Sequence, residues 1–405
     1  MVGVRYLVRV SAAVMVTVGA LVSTASSASA VVRAPWSIVA TPDTSAPGNQ
    51  LASVSCVAKS DCWSVGNTYG GPSADSPWNT LAEHWDGRVW SIVSTPNAPS
   101  FRINMLESVS CVAGTDCWAV GQSVGATSAT LAEHWDGRAW SIVSVRDPGS
   151  FANSLRAVTC VNRTDCWAVG SLVNTDLQGK NLAEHWDGRT WSVVPVPNVA
   201  TTNDPREFDA LLGMTCVSHA DCWAVGQSVV GTIGAALAEH WDGRAWTIVA
   251  TTDANEFLAV TCVRTSDCWA VGTAGADQTR AEHWNGHAWS AVATPNPAAN
   301  QELWAVTCVR TSNCWAVGFS TSARTTLAEH WDGRIWSFVP TPNLSATDAN
   351  RLVGVTCDPK NTPRRHEHAR DDRKRARHDC WAVGATLDPS RETPLRTLAE
   401  HFGRI

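Results

Sequence analysis

An all-β fold is what this 405-residue sequence predicts: a seven-bladed β-propeller of four-stranded blades, with one disulfide per blade. Three observations predict it. One phrase recurs seven times: Leu-x-x-Val-(Ser/Thr)-Cys, Cys-Trp-(Ala/Ser)-Val-Gly, Ala-Glu-His-Trp-Asp-Gly and a Trp-Ser-(Ile/Val) tail. A fixed period of about fifty residues marks a single repeat array. The 14 cysteines fall as pairs, one pair per copy. Finally, the seventh copy stops at Ala399-Glu400-His401-Phe402-Gly403-Arg404-Ile405, and its missing tail stands at the other end as Ala34-Pro35-Trp36-Ser37-Ile38-Val39. A repeat cut between the termini is what a closed ring needs, because the first strand can complete the last blade.

Within a copy, the first two strands form a hairpin. In the second copy, Leu106 to Cys111 and Cys117-Trp118-Ala119-Val120-Gly121 are short runs rich in β-branched and apolar residues, separated by Val112 to Asp116. That separation suits a three-residue loop and sets Cys111 opposite Cys117 at a disulfide's span. The expected pairs are Cys56/Cys62, Cys111/Cys117, Cys160/Cys166, Cys216/Cys222, Cys262/Cys268, Cys308/Cys314 and Cys357/Cys380. By loop entropy each short closure stabilises by about 2 kcal/mol. The third strand ends at Glu133-His134-Trp135 and the fourth begins at Ala139-Trp140, with Asp136-Gly137 turning between them. Asp-Gly is a strong hairpin signal, since Gly takes positive φ freely and Asp tolerates it.

Of the 22 Trp, all but Trp78 and Trp304 fall at three repeat positions: after the second Cys, after the His, and two residues past the turn's Arg. A stripe of that regularity is packing between blades. The turn followed by Trp, Asp86-Gly87-Arg88-Val89-Trp90 and its copies, resembles the Asp-box of sialidase-type propellers. The whole repeat resembles exported actinobacterial propeller proteins, and the resemblance implies a ring of blades across residues 31–405. His-Trp-Asp is similar in letters to WD-repeat blades, but its order and the cysteines do not fit that family.

Residues 1–30 carry the marks of a secretory signal: Arg5 and Arg9, an apolar stretch from Val10 to Val22, then Ala28-Ser29-Ala30. That stretch is short for a membrane span, and no span is expected after cleavage. Losing two arginines leaves 31 − 2 = 29 basic against 37 acidic residues, moving the net charge from −6 to −8. A mildly acidic surface has no field for nucleic acid. Export with paired, periodic cysteines implies disulfides rather than metal, so no cofactor or metal is expected. The chain is expected to be a secreted or surface-associated monomer.

Comparison among the seven copies separates scaffold from site. The first-to-second and third-to-fourth connections barely change, except in the last copy. The inter-blade connections (Thr95 to Met105, Pro197 to Leu211, Thr341 to Arg351) and the second-to-third loops (Asn67 to Thr80, Ser171 to Asn181, Ala385 to Thr397) vary, and both emerge on one face. Variable loops on a rigid scaffold are where binding usually lives. The second position of the innermost strand varies too: Ala52, Glu107, Arg156, Leu212, Leu258, Trp304 and Val353. Glu107, Arg156 and Trp304 around the channel mouth, with Tyr69 and Trp78 at its edge on the first blade's long loop, are the candidate ligand-binding residues.

Catalysis must come from groups that break the sevenfold pattern. The repeated His follows a Glu, and strand neighbours face opposite ways, so the two make no dyad. The Glu is expected to reach the Arg after the turn, or the His to bond backbone within the blade. A sialidase-like mechanism would imply a Tyr nucleophile and an arginine cluster, and Tyr69 is the only Tyr past the signal. A copper-radical oxidase would imply two Tyr and is excluded by composition. Loop carboxylates Asp75, Asp176, Glu207, Asp209, Asp277 and Glu302 leave open a polysaccharide-acting hydrolase or lyase. The hydroxyls of Ser55, Ser110, Thr159 and their counterparts are expected to serve their own strands, with an ion in the channel as the alternative.

The last copy departs from the rest. Residues 358–379 separate Cys357 from Cys380 and hold eight basic and five acidic side chains with three His. Such a run suits a solvated loop. The expected function is an exported, non-catalytic recognition propeller for an extracellular carbohydrate or protein ligand; the competing readings are the hydrolase or lyase and a purely structural surface protein.

Overall fold

The strands recur with the repeat. The structure is a computed structural model that describes residues 36–71, 76–175, 178–199, 207–231, 233–252, 255–275, 278–357, 379–387 and 395–403. The expected signal at 1–30, nearly all of the insert, and Asp75, Asp176 and Asp277 lie outside the described residues. β1 spans Trp36–Val39. β2–β5 cover Gly48–Ala58, Asp61–Tyr69, Trp78–Trp85 and Trp90–Val93; β6–β9 cover Ile103–Ala113, Asp116–Val124, Ser128–Trp135 and Trp140–Ile142. β10–β13 cover Ala152–Asn162, Asp165–Val173, Gly179–Trp186 and Trp191–Val193; β14–β17 cover Phe208–Ser218, Asp221–Val230, Ile233–Trp241 and Trp246–Ile248. β18–β21 cover Glu256–Arg264, Asp267–Ala274, Gln278–Trp284 and Trp289–Val292; β22–β25 cover Gln301–Arg310, Asn313–Ser320, Thr325–Trp331 and Trp336–Phe338. β26–β28 cover Ala349–Cys357, Cys380–Leu387 and Arg396–Phe402.

Each group of four pairs antiparallel in chain order, and the last group takes β1 as its fourth strand, in the order β1-β28-β27-β26. Trp36 stands opposite Phe402 and Val39 opposite Ala399. Each group's first strand packs on the first strand of the next, and β26 packs on β2. No helix occurs among the described residues.

The core lies between groups, not within them. Trp63, Val65 and Ala82 of the first group meet Leu106, Val109, Cys117 and Leu131 of the second. Cys62 and Leu81, on the opposite face, meet Trp381 and Val383 of the last group. With both faces covered, β3 is buried along nearly its whole length. The repeated tryptophans supply the contact: Trp63 lies 4.6 Å from Trp135 and edge-on at 5.2 Å to Trp140. Where the last copy has Phe402 and no tail, Trp315 meets Phe402 at 4.6 Å and Trp36 at 5.3 Å. Each such ring pair contributes about 1 kcal/mol beyond its buried area.

All seven expected disulfides form: Cys56–Cys62, Cys111–Cys117, Cys160–Cys166, Cys216–Cys222, Cys262–Cys268, Cys308–Cys314 and, across the insert, Cys357–Cys380. The two halves of each pair differ in a way the spacing did not foretell. The second Cys is completely buried in every copy: Cys62, Cys117, Cys166, Cys222, Cys268, Cys314 and Cys380. Each belongs to the apolar layer between two groups, as Cys166 does beside Trp118 and Leu155, Cys222 beside Trp167, Cys268 beside Trp223 and Cys314 beside Trp269. The cystines are therefore packing elements as well as cross-links. They belong to the scaffold, and none of these seven sulfurs is placed to meet a ligand at the surface.

The hairpin is tighter than the three-residue loop expected. Cys111 pairs with Cys117 and then Ala113 with Asp116, leaving Val112 bulged and a two-residue Gly114-Thr115 turn. The Asp-Gly turn behaves as expected: Asp86 Oδ1 accepts from the amides of Arg88 and Val89 at 2.8 and 2.9 Å, and Gly87 has φ 93°.

The expected partners of Glu and His are both wrong. His84 Nε2 meets Asp61 Oδ1 at 2.9 Å, a carboxylate just before the second Cys, and the ring lies against Trp63. Copies of this contact bind His134 to Asp116 and His185 to Asp165, with Asn313 standing in for Asp beside His330. The Glu points the other way, into the interface, where the turn's Arg cannot follow it. Glu83, Glu133 and Glu400 are fully buried with neither carboxylate oxygen bonded among the described residues. Burial pushes Glu83 and Glu133 up to about 8. The fifth copy brings a guanidinium to the same place: Arg280 stands in the slot that Leu131 fills in the second, and its Nη2 reaches Glu282 Oε1 at 3.0 Å.

Two readings of the connections also change. Ser55 Oγ accepts the Cys111 amide at 3.1 Å, and Ser110 Oγ the Cys160 amide, so these hydroxyls join one innermost strand to the next. The inter-blade connections are variable only beyond their first residues. Asn97 Oδ1 accepts the Thr80 amide at 2.9 Å, and Asn343 holds Thr326 in the same way, so Thr-Pro-Asn is a latch onto the third strand.

Candidate functional site

The innermost strand of every group carries a β-bulge at one position. In β6 the pairing runs Leu106 with Gly121, then Ser108 with Val120, and skips Glu107. The skipped residues in the other groups are Ala52, Arg156, Leu212, Leu258, Trp304 and Val353. These are the seven residues whose identity varies at that position. A bulge leaves one residue outside the ladder and re-aims its side chain. The repeated Gly of Cys-Trp-Ala-Val-Gly makes room for it. A Cβ on Gly121 would lie 1.9 Å from the Met105 carbonyl oxygen, and one on Gly318 would lie 1.8 Å from that of Glu302. The glycine is there because the bulged strand's backbone passes over it.

The bulged side chains converge on one cavity of about 520 Å³. Its second and third groups supply a charged pair: Arg156 Nη1 meets Glu107 Oε1 at 3.0 Å, both side chains partly exposed. Leu212, Leu258, Val353 and Ala52 give it apolar walls. On the side of the last two groups stands a stack. Trp304, 37% exposed, lies on Phe319 with ring centroids 5.8 Å apart at 30°, and its Nε1 donates to Glu302 Oε2 at 2.7 Å. The Arg351 guanidinium carbon sits 4.6 Å from the centre of the same Phe319 ring. Burial lowers the Arg351 pKa against the opposing pull of Glu302, but a guanidinium stays charged. Glu256, in the fifth group, accepts from Thr273 Oγ1 at 3.3 Å. Burial raises its carboxyl, with the charge of Glu302 adding to the effect.

Glu107, Arg156 and Trp304 therefore share one cavity as expected. Tyr69 and Trp78 do not line it. They are strand residues, not loop residues: a cross-strand pair closing the β3–β4 ladder, with rings edge-on at 5.3 Å. Asp209 is fully buried and accepts the Val199 amide at 2.7 Å, so this carboxylate holds the linker of its own copy.

Sequence reasoning missed Arg351, Glu256, Glu302 and Phe319 as a group. The signal was present in two further varying positions. One precedes the strand's Leu: Gln50, Met105, Ser154, Ala210, Glu256, Glu302 and Arg351. The other follows the repeated Gly: Asn67, Gln122, Ser171, Gln227, Thr273, Phe319 and Ala385. The two are directly paired across the hairpin, Glu302 with Phe319 and Arg351 with Ala385. Of these, Gln50, Glu256, Arg351, Phe319 and Ala385 line the cavity together with the bulge residues.

No protein-family model matches the chain, and no curated protein matches it in sequence. Solved structures do. "YCF48 bound to D1 peptide" is similar with a TM-score of 0.53 at 14% identity, over 92% of this chain and 96% of that one. YCF48 from Cyanidioschyzon merolae is similar with a TM-score of 0.50 at 14% identity, over 91% and 98%. The WD40 β-propeller domain of Doa1 is similar with a TM-score of 0.51 at 8% identity, over 90% and 96%. At such identities the likeness is one of fold: the chain is an all-β repeat protein of propeller type.

Proposed function

We propose that residues 31–405 form one exported, seven-bladed propeller, β1 completing the seventh blade, that acts as a non-catalytic monomeric recognition module for an extracellular protein. The observation that carries this is the rim: seven copies of one frame put seven side chains of six different kinds, each freed by a bulge, around a single cavity. A scaffold position is repeated; a position that varies from acid to base to indole while its neighbours repeat is free to serve a ligand. The seven disulfides support export, because they persist in an oxidising compartment. In six of the seven copies the His is hydrogen-bonded to its Asp or Asn, the buried His401 lies 3.8 Å from Asp379, and among the described residues no histidine lines the cavity.

A protein ligand suits the apolar walls, and one solved propeller of this shape is titled as bound to a peptide. The exposed face of Trp304 favours a carbohydrate as the second reading, since an indole face stacks on a sugar ring. The test is a binding screen of the secreted, oxidised protein against arrays of extracellular peptides and glycans, beside a Trp304→Ala, Arg156→Ala double variant. Binding to peptides that the double variant loses supports the proposal; binding to glycans alone transfers it to the second reading. Binding that survives in the double variant removes the site.

A further inference from the structure

Among the described residues, Arg351 is the one cavity cation without an anionic partner. Its guanidinium makes no hydrogen bond or ion pair there, and its Nε is buried and unbonded. The carboxylate whose charge acts on it, Glu302, is turned instead to Trp304 Nε1. By contrast, Arg156 is occupied by Glu107 at 3.0 Å. A guanidinium carries five donors in a planar fork and cannot shed its charge. Leaving it partly buried and unpaired costs free energy that a ligand anion can recover. Its position is set by the stack over Phe319, so little side-chain freedom remains to be lost on binding.

From this we infer that Arg351 is the anchor of the cavity and receives a peptide carboxylate, with an apolar side chain of the same peptide against Leu258, Val353 and Leu387. The inference rests on the recognition reading above and names its ligand chemistry. A carboxylate is the planar two-oxygen anion that fits the fork side by side. A peptide is favoured over an acidic sugar because aliphatic side chains, Leu212, Leu258, Val353 and Leu387 among them, make up half of the cavity lining. The carboxylate comes either from a chain terminus or from an Asp or Glu side chain.

Two hexapeptide arrays test this, one with free C-terminal carboxylates and one amidated, each holding members with and without internal Asp or Glu. They are probed with wild type, Arg351→Gln, Arg351→Lys and, as a control on an exposed turn, Arg88→Gln. The expected result is that bound peptides carry a carboxylate and that affinity falls about tenfold or more in Arg351→Gln. Arg351→Lys, which keeps the charge and loses the fork, should fall between, and Arg88→Gln should match wild type. Loss on amidation assigns the terminus; binding kept by amidated Asp or Glu peptides assigns the side chain. Equal binding by Arg351→Gln, equal binding of peptides without any carboxylate, or capture of no peptide overturns the inference. Unchanged binding in Arg351→Gln alongside loss in the Trp304→Ala, Arg156→Ala variant overturns it while leaving the recognition site standing.

Discussion

Replacing Glu133 by Gln should stabilise the protein in mild alkali and leave it nearly unchanged in mild acid. Glu133 is fully buried with neither oxygen bonded, and burial pushes its carboxyl from 4.5 up to about 8. Between those values the folded chain keeps a proton that the unfolded chain has released, so stability falls as pH rises. The contribution is whole below the unfolded value and lost by the time pH passes the folded one. The slope is about 1.4 kcal/mol per pH unit for one such group, or about 4 kcal/mol from pH 5 to pH 8. At about 2 cal/mol/K of unfolding entropy per residue, a chain of this length converts that to a Tm change of about 5 °C. Gln has nothing to ionise, so the Tm of Glu133→Gln should decline less steeply by about that amount. Calorimetry of the oxidised proteins at pH 5, 6, 7 and 8 gives the two lines directly. Parallel lines would refute the reasoning, since they would mean that Glu133 ionises in the interface as easily as in water. Glu83 and Glu329, also raised to about 8 by burial, should behave as Glu133 does.

Other substitutions test other parts of the frame. Gly121→Ala puts a Cβ against the Met105 carbonyl and should abolish secretion or cost several kcal/mol, whereas Gly231→Ala, at φ 65° in open space, should cost about 1–2 kcal/mol; denaturant melts separate them. A Cys111→Ser, Cys117→Ser pair should lower stability by more than the loop-entropy contribution of about 2 kcal/mol, because a hydroxyl then replaces the buried Cys117 sulfur, without altering strand content by circular dichroism. Arg280→Leu leaves the buried Glu282 carboxylate without its cation and should destabilise by about 3–5 kcal/mol; denaturant melts measure the loss.

The frame was open to a reader of the sequence because its physics repeats. Seven Cys pairs fixed the hairpin partner of each Cys, and three Trp positions marked where groups must touch. The cut between Phe402 and Trp36 marked which strand joins which. What escaped were features that one copy cannot display. A bulge leaves no residue type of its own, so variation among the copies marks Glu107 as a candidate but nothing marks it as lying outside the ladder. Only the unvarying Gly opposite hinted that a backbone passes close by. Spacing told which cysteines pair but not which face they take, so the burial of Cys166 or Cys314 between groups had no mark in the letters. The buried Glu runs against the rule that ionisable groups stay wet, so the sequence points it to a surface partner although it faces the neighbouring group. Strand ends carry no mark in the sequence, so the letters give Tyr69 and Trp78 to a loop, whereas their ladder runs further than the repeat does.

Oxidative footprinting of Trp304 bears most directly on the channel mouth as the site of recognition. Its indole is 37% exposed while the repeated Trp63, Trp118 and Trp167 are buried to 2% or less, so it should oxidise first. With the tightest binder from the peptide and glycan screen in place, the account predicts strong protection of Trp304 and none specific to Trp78. Trp304 reacting as fast in the complex as in the free protein would contradict it, as would protection confined to Tyr69 and Trp78.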